Sequence, residues 1–388
     1  MNGVQEFLRN LPAVQQPDWQ EHDELPGVTA ELASLPPLVD APGTDALAGL
    51  LAEAAAGRVQ IIQAGDCAED WAESSAEDVA RKAGLLDVLA GVMRMTSHRP
   101  VLRVGRIAGQ YGKPRSKPTE IIGGVELPVY RGHAVNAPEP DPQLRIPDPT
   151  RMLTGYRMAR EVVGHLGWGS GSPRPDSPVW TSHEALLLDY ELPMLRARED
   201  GGLLLTSTHW PWIGERTRHV EGAHVALLAA VSNPVACKVG PTMTPEELLA
   251  LCERLDPERV PGRLTLISRM GADKVGDRLP ALVGAVREAG HPVVWLCDPM
   301  HGNTVNGPEG VKTRLVTTLV REVVEFRKAV RSAGGTAGGL HLETTPDDVT
   351  ECVADENRLH KAGGKYLSFC DPRLNPQQAI TVASAWLG

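Results

Sequence analysis

The chain alternates short apolar runs with longer segments of helical spacing, and this alternation constrains its fold more than any other feature. Nearly continuous apolar runs are typical of strands that are buried on both faces of a parallel sheet. Eight such runs predict strands, at residues 59–67, 100–109, 202–210, 234–240, 263–271, 292–299, 339–345 and 366–374.

The intervening segments predict helices, at about 76–95, 183–197, 217–231, 245–255, 275–289, 312–332 and 376–386. The helix at 245–255 has an explicit start signal, since Thr244 precedes an N1 proline and two glutamates. Eight strand–helix units favour a (β/α)8 barrel. A doubly wound open sheet is the alternative, but no GxGxxG follows the first strand to support a dinucleotide fold.

Two regions interrupt the alternation. Residues 1–57 predict a proline-rich N-terminal extension that packs on the barrel, and residues 58–388 predict a single catalytic domain. Residues 110–180 form an inserted excursion between predicted strands 2 and 3, with one helix at about 150–165 and a loop rich in Gly, Pro and Ser. Long loops on a barrel are usually functional or oligomeric. We therefore expect these regions to form the contacts of a homodimer or homotetramer.

Composition excludes several classes of protein. The net charge of −10 argues against nucleic acid as a partner, because phosphate backbones select basic surfaces. No apolar run is long enough to span a membrane, and the N-terminus lacks the pattern of a secretory signal. The six cysteines are scattered without a CxxC pair, which is typical neither of a disulfide scaffold nor of a zinc finger. We expect a cytoplasmic protein with reduced thiols.

Polar residues close the predicted strands, at the end where a (β/α)8 barrel carries its catalytic groups. Predicted strands six, seven, eight and one are consecutive in a closed barrel, and they supply His301, Glu343, Asp371 and Cys67. These are metal-competent side chains. Strand three ends in His209, and strands two, four and five end in the cations Arg106, Lys238 and Arg269. The loop after strand three adds Glu215 and a further cation, Arg216. An arc suited to a divalent metal therefore lies beside an arc suited to anions.

Each candidate ligand also has an ordinary structural explanation. Cys67 could be a packing residue, His301 could cap a turn, and Glu343 and Asp371 could be helix N-caps or loop anchors. Together at neighbouring strand ends they favour a metal, because unpaired buried charges would be costly there. A set of thiolate, imidazole and carboxylate suits Mn²⁺, Co²⁺, Fe²⁺ or Zn²⁺ better than Mg²⁺, which prefers oxygen ligands alone.

Long motifs along most of the chain resemble those of type II 3-deoxy-D-arabino-heptulosonate 7-phosphate (DAHP) synthases. They are QAGDCAED (63–70), RVGRIAGQYGKPRS (103–116), TSHEALLLDYE (181–191), WIGERTR (212–218), NPVACKVGP (233–241), GRLTLISRMG (262–271), CDPMHGNT (297–304), GGLHLETTPDDVTEC (338–352) and CDPRLN (370–375). Among these enzymes, the chain looks most like the short members of phenazine-type secondary pathways.

The resemblance implies condensation of phosphoenolpyruvate with D-erythrose 4-phosphate and water, giving DAHP and phosphate, which is the first step of the shikimate pathway. It implies one divalent ion, with Mn²⁺ or Co²⁺ favoured, held by Cys67, His301, Glu343 and Asp371. By similarity, phosphoenolpyruvate contacts Arg106, Glu215, Arg216, Lys238 and Arg269. The aldose phosphate contacts Lys113, Pro114, Arg115 and Ser116, with Lys113 against the reacting centre. Glu215 is our candidate for activating water, and Lys113 with His301 for the alkoxide proton.

Two alternatives stay open. A related 3-deoxy-sugar-acid phosphate synthase would use another aldose phosphate, because the KPRS motif at 113–116 reads a phosphate and not a chain length. A non-catalytic partner of chorismate mutase is the alternative from another class, although the intact ligand and cation sets argue against it. The extension and the excursion differ from those of longer family members, whose added elements build effector sites. We therefore expect weak or absent feedback inhibition by aromatic amino acids.

Cys67 and Cys370 end the first and eighth predicted strands, which are neighbours in a closed barrel. Their thiols could pair when the metal is absent. Such a disulfide would remove a ligand thiolate and inactivate the enzyme.

Overall fold

The computed structural model describes residues 2–19, 23–169 and 178–386. Its helices are α1 Asn2–Arg9, α2 Leu25–Ser34, α3 Ala41–Ala55, α4 Ala76–Ser97, α5 Arg151–His165, α6 Leu188–Glu191, α7 Ala223–Ala230, α8 Pro245–Leu255, α9 Val275–Glu288, α10 Val316–Ser332 and α11 Pro376–Ser384. Its strands are β1 Gln60–Gly65, β2 Val101–Arg106, β3 Thr119–Ile122, β4 Val125–Pro128, β5 Trp180–Ser182, β6 Leu195–Ala197, β7 Leu203–Leu205, β8 Trp212–Ile213, β9 Val235–Val239, β10 Leu264–Ser268, β11 Val294–Cys297, β12 Thr304–Asn306, β13 Lys312–Arg314 and β14 Thr336–Glu343.

An eight-stranded sheet forms the centre of the molecule, in the order β5-β2-β1-β14-β11-β10-β9-β8. Every pairing within it is parallel. The two outer strands meet through a parallel bridge between Glu184 and Trp212, and the Ala185 amide donates to the Trp212 carbonyl at 3.0 Å. This contact closes the sheet, and helices cover its outside. The prediction of a (β/α)8 barrel is confirmed, and the open doubly wound sheet is excluded.

The local sequence explains where several helices begin. Thr244 accepts a hydrogen bond from the Glu247 amide while the Glu247 side chain accepts from the Thr244 amide, so α8 begins with the capping box that its sequence predicts. Asn375 and Gln378 form the same reciprocal pair at the start of α11. Asp40 caps α3 by accepting from the Gly43 amide at 2.8 Å. These caps satisfy amides that have no partner inside the helix.

Two of the predicted strands are wrong. Residues 203–205 form β7, which pairs antiparallel with β6 outside the barrel, and most of 366–374 is irregular, with one bridge from Leu374 to Thr344. The third and fourth barrel strands are β5 and β8, which have 3 and 2 residues. The eighth strand is β14, predicted as the seventh. Two missed strands and two false ones therefore gave the correct total. The predicted helix at 183–197 is also wrong, because only Leu188–Glu191 is α-helical there.

The N-terminal region contains α1, α2 and α3. Helix α3 contacts β11 and β14, and the Thr336 hydroxyl at the start of β14 donates to the Ala55 carbonyl. Helix α3 therefore lies at the amino ends of the barrel strands, opposite the end that carries catalytic groups in such folds. Helix α1 packs on α7, and α2 packs on α5 and α6.

The excursion after β2 contains the antiparallel hairpin β3–β4 and then helix α5. Helix α5 matches the helix predicted at about 150–165, whereas most of the predicted Gly/Pro/Ser-rich loop lies outside the described residues. No described helix combines the length and the apolar character that crossing a bilayer requires.

Candidate active site

A cavity of about 780 Å³ opens at the carboxyl ends of the barrel strands. All of the metal ligands and substrate-binding residues predicted from the sequence line it, except Glu343. They are Cys67, Arg106, Lys113, Pro114, Arg115, Ser116, Glu215, Arg216, Lys238, Arg269, His301 and Asp371. Glu343 is fully buried at the end of β14 and contacts His301 and Arg106 of the lining. The structure thus brings the whole predicted set to one place.

Three of the predicted ligands form a compact group. Ligand atoms of Cys67, Glu343 and Asp371 all lie within 4.8 Å of one another. The fourth, His301, places Nε2 at 3.4 Å from Glu343 Oε1. Cys67 follows β1, Glu343 ends β14 and His301 follows β11, and these strands are adjacent in the sheet. Asp371 lies in an irregular loop and not after a strand, but the Leu374–Thr344 bridge holds that loop beside β14.

A carboxylate orients the ring of His301. Asp298 Oδ2 accepts from His301 Nδ1 at 2.8 Å, which leaves Nε2 facing Glu343. Asp298 also accepts from Lys238 Nζ at 2.5 Å. Burial lowers the pKa of Lys238 to about 8, although the charge of Asp298 opposes this shift. A carboxylate behind a ligand histidine is the arrangement that fixes ring orientation in metal sites.

A positive charge already lies among the ligand atoms. Lys113 Nζ is 2.6 Å from Cys67 Sγ, 3.0 Å from Asp371 Oδ2 and 3.9 Å from Glu343 Oε1. The Lys113 charge is the largest influence on Asp371 and holds its pKa well below the usual range. For Glu343, burial opposes ionisation, but the surrounding cations outweigh it and lower the pKa. The point between these groups therefore attracts cations.

The pKa of the Cys67 thiol is shifted in the opposite direction to the pKa values of the two carboxylates. Burial raises its pKa well above the ordinary value, and a hydrogen bond with Cys370 and the charge of Glu343 add to the effect. A buried thiol beside carboxylates is not a good anion by itself. A bound divalent cation reverses this preference, because a coordinating thiol is deprotonated. Cys67 and Cys370 are both free thiols in the structure.

The cationic residues occupy the neighbouring wall of the cavity. Arg106 is anchored by protein groups, since its Nη2 lies 3.1 Å from Glu343 Oε1 and its Nε donates to the Asp66 carbonyl at 3.0 Å. Arg216 Nη2 donates to the Ser116 hydroxyl at 2.7 Å, so the WIGERTR and KPRS motifs meet in space. Arg269 follows β10 and Lys238 lies in β9, which are paired strands.

One prediction from the strand ends is wrong. His209 is fully buried away from the cavity, where its ring lies 4.2 Å from that of Trp168 by centroids and its Nδ1 is 2.8 Å from the Thr181 hydroxyl. The apolar pattern of residues 202–210 predicts a barrel strand that ends at His209, but this strand does not form. Glu215 lines the cavity, but its Oε1 accepts two hydrogen bonds from Arg218, at 3.0 and 3.1 Å.

Sequence reasoning missed two important groups of this site. Glu184 follows β5 and lines the cavity, and its Oε1 is buried without a hydrogen-bond partner among the described residues. Burial raises its pKa, although Lys113, Lys238 and other cations oppose the shift. Arg314 of β13 is fully buried, with Nη1 at 2.9 Å from Glu343 Oε2. Glu184 lies inside the TSHEALLLDYE motif, so the signal was present, but the strand that presents it has only 3 residues.

Fold and site together define a class of protein, namely a (β/α)8 barrel with a metal-competent acidic group and a cationic wall at the carboxyl ends of its strands. The profile of the class-II DAHP synthetase family matches residues 4–167 and 167–386. The chain belongs to this family. The predictions of a type II DAHP synthase and of a transferase are confirmed.

Individual relatives agree with this assignment. A probable phospho-2-dehydro-3-deoxyheptonate aldolase of Pseudomonas fluorescens is 58% identical over 377 residues, covering 96% of this chain and 94% of that protein. The enzyme of the same name from Streptomyces coelicolor is 40% identical, with 97% and 94% covered. The one from Mycolicibacterium smegmatis is 37% identical, with 96% and 91% covered.

Among solved structures, the phospho-2-dehydro-3-deoxyheptonate aldolase of Francisella tularensis SCHU S4 matches with a TM-score of 0.54. The two chains are 13% identical, and the match covers 98% of this chain and 95% of the other. At that identity the similarity supports the fold alone.

Proposed function

We propose that this chain condenses phosphoenolpyruvate with D-erythrose 4-phosphate and water, giving DAHP and phosphate, and that it requires one divalent metal ion. The observation that carries the proposal is the joint presence, in one cavity, of the ligand group and the cationic wall. One ion next to a cationic wall suits a reaction in which a carbonyl must be activated beside phosphorylated substrates.

The ligand group fits a divalent ion by its chemistry. Cys67, His301, Glu343 and Asp371 would hold it, and the mixed set favours Mn²⁺ or Co²⁺, with Fe²⁺ or Zn²⁺ also suitable. When bound, the ion supplies a Lewis acid for the aldehyde oxygen. The observation from this structure is that two carboxylates, of Glu343 and Asp371, and the Cys67 thiol converge on a point already approached by the Lys113 ammonium.

The cationic wall would hold the two anionic substrates against each other. Arg269 and Lys238, on the paired strands β10 and β9, would bind the phosphate and carboxylate of phosphoenolpyruvate together with Arg106 and Arg216. Arg115 and Ser116, with Lys113 and Pro114, would hold the phosphate of the aldose. Fixing both anions in one geometry supplies much of the rate enhancement, because it removes the entropy cost of bringing them together.

Four residues would handle protons. Lys113 would donate to the aldehyde oxygen as it becomes a hydroxyl, with His301 as the alternative donor. For the water that adds to phosphoenolpyruvate, we retain Glu215 and add Glu184. Each of the two carboxylates keeps one buried oxygen without a hydrogen-bond partner among the described residues, Glu184 Oε1 and Glu215 Oε2, while Arg218 engages Glu215 Oε1.

The experiment that tests the proposal is a phosphate-release assay on phosphoenolpyruvate with a panel of aldose phosphates, in the presence and absence of a chelator. We expect release with erythrose 4-phosphate, its loss with the chelator, and its return with Mn²⁺ or Co²⁺. Release with a pentose phosphate but not with erythrose 4-phosphate would favour the related synthase. No release with any aldose, from protein that binds metal, would favour the non-catalytic partner of chorismate mutase.

Three further proposals concern the pathway, the regulation and the assembly of the protein. The resemblance to the short family members of phenazine-type pathways supports a role in a secondary pathway such as phenazine formation. The excursion, which differs in length and composition from that of the longer family members, supports weak feedback inhibition. Exposed apolar residues on the β3–β4 hairpin, such as Ile121 and Val125 at 75% and 53% exposure, support the excursion as a contact of a homodimer or homotetramer.

A further inference from the structure

A buried glutamate on helix α10 forms hydrogen bonds with both of the loops that carry Arg269 and His301. Glu322 is fully buried, and its Oε1 accepts from the backbone amide of Gly271 at 2.9 Å. Its Oε2 accepts from the side-chain amide of Asn303. Gly271 lies two residues after Arg269, and Asn303 lies two residues after His301. We call Glu322 and Asn303 the loop clamp.

Asn303 completes the connection from its side. Its Nδ2 also donates to the Pro299 carbonyl at 2.7 Å, and its Oδ1 accepts from the Ala272 amide at 3.0 Å. The clamp therefore has two hydrogen bonds to the loop after β10 and one to the loop after β11, with Glu322 and Asn303 bonded to each other. All of these groups are buried.

The two loops also contact each other directly, at Gly271 and Gly302. Gly271 and Gly302 have φ values of +85° and +110°, which side chains rarely adopt. A Cβ on Gly302 would lie 3.0 Å from the Gly271 amide nitrogen, and a Cβ on Gly271 would lie 3.1 Å from the Gly302 carbonyl oxygen. A shift of one loop is therefore transmitted to the other, because the contact is backbone against backbone.

Charged residues of both loops influence the pKa of Glu322. Burial is the largest influence and raises its pKa to about 8; Asp298, which orients His301, acts in the same direction, and Arg269 opposes it. The ionisation of Glu322 therefore depends both on Asp298, which supports the proposed metal ligand, and on Arg269, which would bind the anionic substrate.

We propose that Glu322, through the loop clamp, couples binding of phosphoenolpyruvate at Arg269 to binding of the divalent metal at His301. This inference rests on the proposed function, which assigns those two ligands. Each ligand favours one arrangement of its own loop, and the clamp makes that arrangement common to both loops. By thermodynamic linkage, the metal then tightens phosphoenolpyruvate binding by the same factor by which phosphoenolpyruvate tightens metal binding. Glu322 is a positioning residue, since it touches neither ligand.

The test measures this coupling factor directly, without turnover. Dissociation constants for phosphoenolpyruvate are measured on the full chain by calorimetry, with and without saturating Mn²⁺ and in the absence of any aldose. The first variant is Glu322→Gln, which keeps an oxygen to accept from the Gly271 amide but sets its own NH2 group against the NH2 group of Asn303. The second is Glu322→Ala, which removes the hydrogen bonds to both Gly271 and Asn303. Val323→Ala is the control, because Val323 is fully buried on the same helix and lies outside the clamp.

We expect Mn²⁺ to tighten phosphoenolpyruvate binding at least 10-fold in wild type, a typical coupling. Glu322→Gln should lower that factor about threefold and Glu322→Ala by more, while Val323→Ala lowers stability and leaves the factor unchanged. Direct attraction between ion and substrate persists in every variant, so the factor stays above one. An unchanged factor in both Glu322 variants, with both ligands bound, would overturn the inference alone. If Glu322→Ala does not fold, Glu322→Gln decides. Wild type that binds Mn²⁺ but not phosphoenolpyruvate would overturn the proposed function as well.

Discussion

Replacing Arg373 by methionine should destabilise the protein strongly, because Arg373 sits in a buried ionic network behind the ligand group. Its Nη1 donates to Asp66 Oδ1 at 2.7 Å, and its Nη2 donates to Glu351 Oε1 at 3.0 Å. Asp66 adjoins Cys67 in sequence and Arg373 lies two residues after Asp371. All members of the network are almost fully buried, with Arg373 at 3% exposure.

The magnitude follows from what the substitution leaves behind. Asp66 keeps Lys82, at 2.8 Å, but Glu351 loses its only cation among the described residues and retains only backbone amides as donors. Removing one partner of a buried ion pair costs about 3–5 kcal/mol, since the other charge stays buried. For a chain of this length, that corresponds to a fall in Tm of about 4–6 °C.

Thermal and urea unfolding of Arg373→Met, with metal affinity measured in parallel, would check this. Arg81→Met is the control, because Arg81 pairs with Asp347 at 2.7 Å on the same side of the barrel, but with 44% of the arginine side chain exposed. An exposed pair contributes less than about 1 kcal/mol. Metal affinity should fall in Arg373→Met alone, since the network joins the segments of Cys67 and Asp371. A loss of less than about 1 kcal/mol in a folded Arg373→Met protein would refute the reasoning.

Three other predictions follow from particular residues. Oxidation of metal-free protein should pair Cys67 with Cys370, so that thiol titration finds fewer than the six cysteines of the sequence; six free thiols would reject the pairing. Glu322 has a folded-state pKa of about 8, above its unfolded value, so its contribution to stability is complete at low pH and is lost as pH rises. Between about pH 5 and pH 8 the free energy of unfolding should fall by up to roughly 1.4 kcal/mol per pH unit relative to Glu322→Gln; parallel curves for the two proteins would contradict this. Tryptophan, phenylalanine and tyrosine should each inhibit condensation weakly or not at all, and strong submillimolar inhibition by any of them would refute this expectation.

The sequence predicted the barrel and its site unequally well. Long apolar runs such as 59–67 and 292–299 contain real strands, and the residues that follow them lie in the cavity. The pattern failed where strands are short. Strands β5 and β8 have too few residues for any periodicity, whereas Leu203–Leu205 looks like a buried strand but pairs only with β6. Glu184 was missed for this reason.

Asp371 lies in the cavity although the strand predicted at residues 366–374 does not form. Residues 366–374 do not form a strand, yet one backbone bridge at Leu374 holds the loop where a strand end would lie. The motif therefore identified the residue although the secondary structure was wrong. Contacts made over long separations, such as Glu322 with Gly271 and Asn303, leave no periodic signal in a single sequence and needed the structure.

The central claim is that Cys67, His301, Glu343 and Asp371 hold one divalent ion that condensation requires. Loading the protein with Co²⁺ tests it most directly, because a thiolate ligand gives a charge-transfer absorption that the other ligands do not. We predict one Co²⁺ per chain, a thiolate band that is absent from Cys67→Ser, and loss of DAHP formation in that variant in proportion to lost metal. A wild-type protein that forms DAHP at full rate without bound metal, or a Cys67→Ser variant that keeps the thiolate band, would contradict the account.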